Sequence, residues 1–231
     1  MTNDCAPATS VSAAMASRRS IRAFTDRPVD PDALRTILEK AQRSASGGNV
    51  QPWMVSVLTG EPLSQLIAAV AERSAMGLMG LQPEYVIYPD QLPEPWKARR
   101  YGVAGAMYQA MGITRDDRAA RDAAMAANFR GFDAPVVLFV HCPRFMGPPQ
   151  WADMGIWLNS VMLLLREVGL DSCPQEAWSV YGKTVRDCIG LDDDQIIYSG
   201  LAIGWRDASA PVNQFPVDRA PINEVVSWHG F

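Results

Sequence analysis

Ser17-Arg18-Arg19-Ser20-Ile21-Arg22 puts three guanidiniums and two hydroxyls within six residues. Guanidinium forks grip phosphate oxygens bidentately, so this stretch suits an anion of that kind. On composition alone it also reads as a solvated basic stretch at a helix end; Ala23-Phe24, just beyond it, tethers it to an apolar core. A second candidate is Ser46-Gly47-Gly48-Asn49-Val50-Gln51-Pro52-Trp53. Its glycines allow close backbone approach, and its amides can read the edge of a heterocycle. Taken alone it equally describes a helix cap followed by a turn. The remaining inventory is thin. There are two histidines (His141 and His229) and four cysteines, with no Cys-x-x-Cys pair and no histidine spacing suited to a metal. A phosphate loop, a G-x-G-x-x-G fingerprint and a G-x-S-x-G elbow are all missing. If this chain is an enzyme, its reactive group is borrowed.

The elements that must position these residues can be read from spacing. Val11 to Ser17 reads as a first helix. Asp30-Pro31 reads as an N-cap with proline at the first helical position, and Leu34, Ile37, Leu38 and Ala41 follow at helical intervals. WMVSVLT (53–59) alternates like a strand, and 63–75 is helical. Residues 82–95 hold four prolines and form an irregular excursion; 97–111 and 115–130 are helical, the latter Arg-rich and solvent-facing. PVVLFVH (135–141) is a buried central strand, and Gln195 to Trp205 is another. Trp151 to Arg166 is apolar on nearly every face, a helix covered on all sides in a core or a subunit interface. Gly169 stops it, and Gly182 to Ile189 is a further helix. Few, widely spaced strands among helices indicate an α+β fold of one domain over residues 1–231. Cys142, Cys173 and Cys188 are expected to be buried thiols.

The chain has 231 residues, 48% of them hydrophobic, and a net charge of −4, which argues against nucleic-acid or anionic-membrane binding. The first seventeen residues show no signal-peptide pattern. The apolar stretch Met154–Leu165 falls short of the roughly 20 residues that span a bilayer. A cytoplasmic location is expected.

Together and in order, Arg18-Arg19-Ser20-Ile21-Arg22 and Ala45-Ser46-Gly47-Gly48-Asn49-Val50-Gln51-Pro52-Trp53 resemble the R-R-S-x-R and P-S-x-x-N-x-Q-P-W motifs of the nitroreductase family of FMN-dependent oxidoreductases. Ala45 departs from the usual proline, a change expected to loosen the loop. Cys173-Pro174-Gln175-Glu176-Ala177-Trp178 resembles the segment that lies against the flavin ring, and Asp218-Arg219-Ala220-Pro221 the segment with the C-terminal phosphate-binding arginine. The resemblance covers nearly the whole chain, and within the family the pattern is most similar to bacterial nitrobenzoate reductases.

The resemblance implies a nitroreductase-like α+β fold, a central and mostly antiparallel sheet flanked by helices, in an intertwined homodimer with FMN at the interface. Carried over by position, Arg18, Arg19, Arg22 and Arg219 would hold the FMN phosphate and ribityl chain. Ser20 would touch the ribityl chain or ring, and Ser46, Asn49 and Gln51 would come from the partner subunit. The backbone of Pro174, Gln175, Glu176 and Ala177 would line the ring, with an amide near Glu176 donating to N5. NADH or NADPH would be the electron donor and a nitroaromatic the acceptor, reduced to the hydroxylamine in ping-pong turnover, with no catalytic side chain and no metal. Residues around 80–130 would form a substrate lid, whose aromatics (Tyr85, Tyr88, Trp96, Tyr101, Tyr108, Phe129 and Phe132) could equally be packing residues. The alternatives are a flavin reductase acting on quinones, enones or halogenated aromatics, or a non-catalytic flavin-binding dimer.

Overall fold

The computed structural model describes residues 6–230. Four strands form an antiparallel sheet: β1 (Met54–Thr59), β2 (Val136–Pro143), β3 (Asp171–Gln175) and β4 (Gln195–Gly204), in the order β1-β2-β4-β3. The two central strands are β2 and β4, which explains why both read as continuous apolar runs: each is covered on both faces. Along β2, Val136, Leu138, Val140 and Cys142 face one core and Val137 and Phe139 the other, the period of two that a pleated strand imposes. A register shift at Val140/His141 lets β4 change the phase of its inward residues.

The first core packs α2 (Pro31–Ala41) and α6 (Pro148–Glu167) against the sheet through Leu34, Ile37, Trp157 and Leu165. The second packs α3 (Gly60–Ala75) and α7 (Gly182–Ile189) through Leu66, Val70 and Val185. Asp30 caps α2 by accepting from the Asp32 N–H at 3.0 Å, ahead of the N1 proline. Ser10 likewise caps α1 (Val11–Ser17), accepting from Ala13 at 3.1 Å. Gly200 is required because an added Cβ would stand 2.4 Å from the Trp178 ring, which lies edge-on to Phe139 beneath β4.

Between β1 and β2 the chain leaves the sheet. An irregular stretch leads to α4 (Trp96–Ala110) and α5 (Arg118–Ala126), and a 3-10 segment, Ala127–Asp133, returns it. A short α8 (Ile222–Val225) ends the tail. Tail and excursion meet through an Arg99–Glu224 ion pair at 2.7 Å. Among the described residues no helix is long and apolar enough to cross a membrane.

Several expectations are corrected. The helix expected over 63–75 begins at Gly60, and the one expected over 115–130 is α only to Ala126. Strand β3 carries no apolar alternation and read only as a motif. Cys188 is exposed, whereas Cys142 and Cys173 are buried. The outer face of α6 is open within one chain, with Ile156 47% exposed, so a single protomer does not cover that helix on all sides. Phe132 is buried and Phe129 packs against Trp178 and Tyr181; these two are core residues, whereas Tyr101 and Trp96 are exposed.

Candidate functional site: an arginine cavity beside the sheet edge

The Arg18–Arg22 segment does not project as a free basic arm. It runs along the open edge of β3, with Ser20 in a parallel bridge to Ser172 and the Ile21 N–H donating to the Ser172 carbonyl at 3.0 Å. Ile21 is fully buried, so the residues on either side of it turn outward. Beneath, Asp171 lies between two buried guanidiniums: Arg206 contacts its two oxygens at 2.6 and 2.7 Å, and Arg166 lies 3.2 Å away. The same arginines reach Ser17, Arg166 through its hydroxyl at 3.3 Å and Arg206 through its carbonyl at 3.3 Å. The end of α1 is thereby fixed one residue before Arg18. Asn213, also buried, accepts from the Arg22 N–H at 2.8 Å and donates to the carbonyls of Ala23 and Asp207, each at 2.8 Å.

Anchored through Asn213, the tail folds back and carries Arg219 to the same place. Arg18, Arg19, Ser20, Arg22 and Arg219 all line one cavity of about 410 Å³, which Val103, Asn213 and Phe215 help to close and whose lining, among the described residues, includes no carboxylate. Burial and the like charge of Arg219 lower the proton affinity of Arg18. The like charges of Arg18 and Arg219 oppose each other unless an anion shares them, so the donor set fits a phosphate.

Strand β3 continues from this cavity into the segment expected against a flavin ring. Gln175 is buried and its amide is used internally: it donates to the Asn128 carbonyl at 2.7 Å and accepts from the Trp178 indole at 3.2 Å. Its side chain is therefore a brace, which leaves backbone and the flanking Pro174, Glu176 and Ala177 to form a wall. Glu176 is exposed and within reach of Tyr88, whose phenol burial and that carboxylate push up. Behind them Tyr85 donates to the Tyr198 carbonyl, and burial pushes its phenol up to about 12. Burial likewise pushes the Cys173 thiol up to about 11, against the pull of Arg22 and Arg18. It is an unreactive thiol under the motif.

The Ser46–Gln51 loop lies elsewhere on the chain, and none of its residues lines the arginine cavity. It is a 3-10 turn over Gly47–Asn49, with Gly48, Asn49 and Gln51 in left-handed backbone conformations at φ 56°, 57° and 50°. For Gln51 that conformation is costly. Ser46 Oγ offsets it by accepting from the Gln51 N–H at 3.0 Å, and Gln51 donates to the Asn49 carbonyl at 3.1 Å. Asp153 on α6 accepts from the Gly47 N–H at 3.2 Å. Asn49 and Gln51 are thus exposed beside the N-terminal end of α6, with Ser46 half-buried beneath them. Ala45 stands beside a turn pinned by these bonds.

Asn213, Asp171, Arg166 and Arg206 escaped the sequence reading. Their ion pairs and hydrogen bonds join residues far apart in sequence, and neither spacing nor flanking residues mark them. Among the described residues, no group of three or more His, Cys, Asp or Glu is placed to hold a metal ion.

Fold and site together define an α+β protein with an arginine-lined cavity at the edge of its sheet. The Nitroreductase family pattern matches residues 15–205, and the chain belongs to that family. It is 36% identical to the chloronitrobenzene nitroreductase of Comamonas testosteroni, over 91% of this chain and 93% of the relative. It is 32% identical to the 4-nitrobenzoate reductase of Pseudomonas putida, over 95% of each. The crystal structure of the FMN and NADPH-dependent nitroreductase NfnB from Sphigopyxis sp. strain HMH superposes with a TM-score of 0.95 at 60% identity, covering 96% of this chain and all of that one.

Proposed function

We propose that this chain is an FMN-dependent NAD(P)H oxidoreductase that reduces nitroaromatic compounds, working as a cytoplasmic homodimer. The observation that carries the reading is the acid-free cavity in which Arg18 and Arg219 face each other beside Arg19, Ser20 and Arg22. When bound, FMN supplies a redox centre that relays two electrons from a nicotinamide to an acceptor, chemistry that no side chain here provides. Arg18, Arg22 and Arg219, with Arg19, would hold the phosphate, and Ser20 would meet the ribityl chain. The wall from Pro174 to Ala177 would support one side of the ring, with a backbone amide near Glu176 available to it. Gln175 keeps that wall in place through its two internal bonds.

The Ser46–Gln51 turn fits the dimer reading. It hangs on Asp153 at the start of a helix whose outer face, through Ala152, Ile156 and Asn159, is exposed. Pairing two chains along that face would hand each turn to the other's cavity, where Ser46, Asn49 and Gln51 would complete the site.

Purified protein is expected to be yellow, and the flavin absorbance to be lost on anaerobic addition of a reduced nicotinamide and restored by a nitroaromatic. A colourless protein that takes up no FMN overturns the assignment; reoxidation by quinones or enones but not by nitroaromatics redirects it to a different acceptor. Arg18→Ala is expected to weaken FMN retention by about 1.5–3 kcal/mol, as for a charge-assisted bond, and Arg219→Ala by less because that side chain is exposed.

A further inference from the structure

The excursion between β1 and β2 carries a second acid-free arginine cavity. Helix α4 has two working faces. Gly102, Val103 and Ala106 border the tail and the first arginine cavity, whereas Tyr101, Ala104, Gly105 and Tyr108 line a separate cavity of about 790 Å³ on another side. Gly105 and Gly112 keep its floor open, because neither has a heavy atom within 4 Å of where a Cβ would stand.

Arg115 and Arg121 close its far end, and no carboxylate lines it. Arg121 stands 5.3 Å over the Tyr108 ring and donates to the Arg115 carbonyl at 3.2 Å. Among the described residues neither guanidinium has an ion-pair partner. Of the acids nearby, Asp117 caps α5, accepting from Ala120 at 2.9 Å, while Asp122 lies 3.7 Å from Arg118 and, like Asp116, outside this cavity's lining. A slot walled by tyrosines and ending in two guanidiniums has the chemistry of a site for an aromatic base carrying a phosphate.

Its near end leads back to the flavin wall. Glu176 is within reach of Tyr88, Arg100 lies 3.8 Å over the Tyr88 ring, and the same guanidinium is 5.9 Å from the Tyr101 ring. From Tyr101 to Tyr108 is two turns of α4, about 10 Å. The line from Glu176 to Arg121 therefore has the extended form of a dinucleotide, with aromatic rings along it and positive charge at its end.

We propose that this cavity binds the adenosine end of NADPH, the base against Tyr101 and Tyr108 and the 2′-phosphate on Arg115 and Arg121. The excursion then sets a preference for NADPH over NADH. The inference rests on the flavin reading above and adds to it the place where the donor is told apart.

The test uses the FMN-loaded protein and compares KM for NADPH and NADH in R115Q, R121Q and the double variant. Loss of one charge-assisted bond is expected to raise KM for NADPH about 10- to 140-fold with kcat little changed; NADH, lacking the phosphate, is expected to respond far less. The double variant should equalise the two donors. Adenosine 2′,5′-bisphosphate should compete with NADPH better than adenosine 5′-monophosphate does, an advantage the double variant loses. R130Q removes the same charge at an ion pair outside the cavity and should leave the NADPH/NADH ratio unchanged. An unaltered ratio in the double variant, or a parallel loss with both donors, overturns the proposal while the flavin assignment stands. If neither donor reduces the bound flavin of the unmodified protein, the flavin reading itself fails.

Discussion

The two arginine cavities share a chemistry and differ in how they are built. The Arg18–Arg219 cavity sits on a braced frame: a bridge to β3, a buried carboxylate between two guanidiniums and an asparagine making three hydrogen bonds. The Arg115–Arg121 cavity sits on helices with no buried residue, joined to the rest of the chain by surface contacts such as Arg99–Glu224. Fixed geometry suits a ligand that stays, because ordering entropy is met once, on folding. A yielding wall suits a ligand that must arrive and leave at every turnover.

Removing the keystone of the braced site should break this contrast most sharply. Asp171→Asn removes the carboxylate that two buried guanidiniums share and is expected to cost about 3–5 kcal/mol of stability. It should also loosen FMN although it touches no ligand. Denaturant unfolding and flavin release on dialysis measure the two effects, and unchanged values for both would show that the frame does not carry the site.

Asn213→Ala comes next. It strands the Arg22 N–H and the carbonyls of Ala23 and Asp207, at about 1–3 kcal/mol for buried groups left unsatisfied. Because Asn213 joins the motif to the tail, it should lower FMN affinity more than an equally destabilising core substitution such as Val70→Ala. Fluorescence titration of the apoprotein with FMN makes that comparison.

The smallest effect belongs to the other region. Arg118–Asp122 is an exposed pair at 3.7 Å, its side chains 92% and 73% accessible, and Arg118→Ala should change the unfolding free energy by less than about 0.5 kcal/mol in denaturant titration. A large loss there would show the excursion to be as rigidly integrated as the sheet edge, and would remove the distinction between the two cavities.

Much of the architecture was legible because it is local. Proline after Asp30, the spacing of Leu34, Ile37 and Ala41, and the unbroken apolar runs of β2 and β4 each express a constraint settled within a few residues. Strand β3 was not legible as a strand. Asp171, Ser172 and Gln175 are buried through ion pairs and hydrogen bonds rather than apolar contact, and hydrophobic periodicity does not register burial of that kind. Cys188 was misread for the complementary reason: it follows a helical pattern but lies off the stripe that faces the core.

By itself the sequence determined which groups are available: a dense run of arginines, a glycine-bearing turn, an arginine in the tail, and almost nothing that could act as a nucleophile or a metal ligand. Only the tertiary structure decided which of them meet. Arg219 reaches Arg18 across two hundred residues because Asn213 fixes the tail to the Arg22 backbone, while Ser46, Asn49 and Gln51 do not line that cavity in their own chain. Charge type is a property of each residue. Proximity is a property of hydrogen bonds and packing between segments that no local spacing encodes.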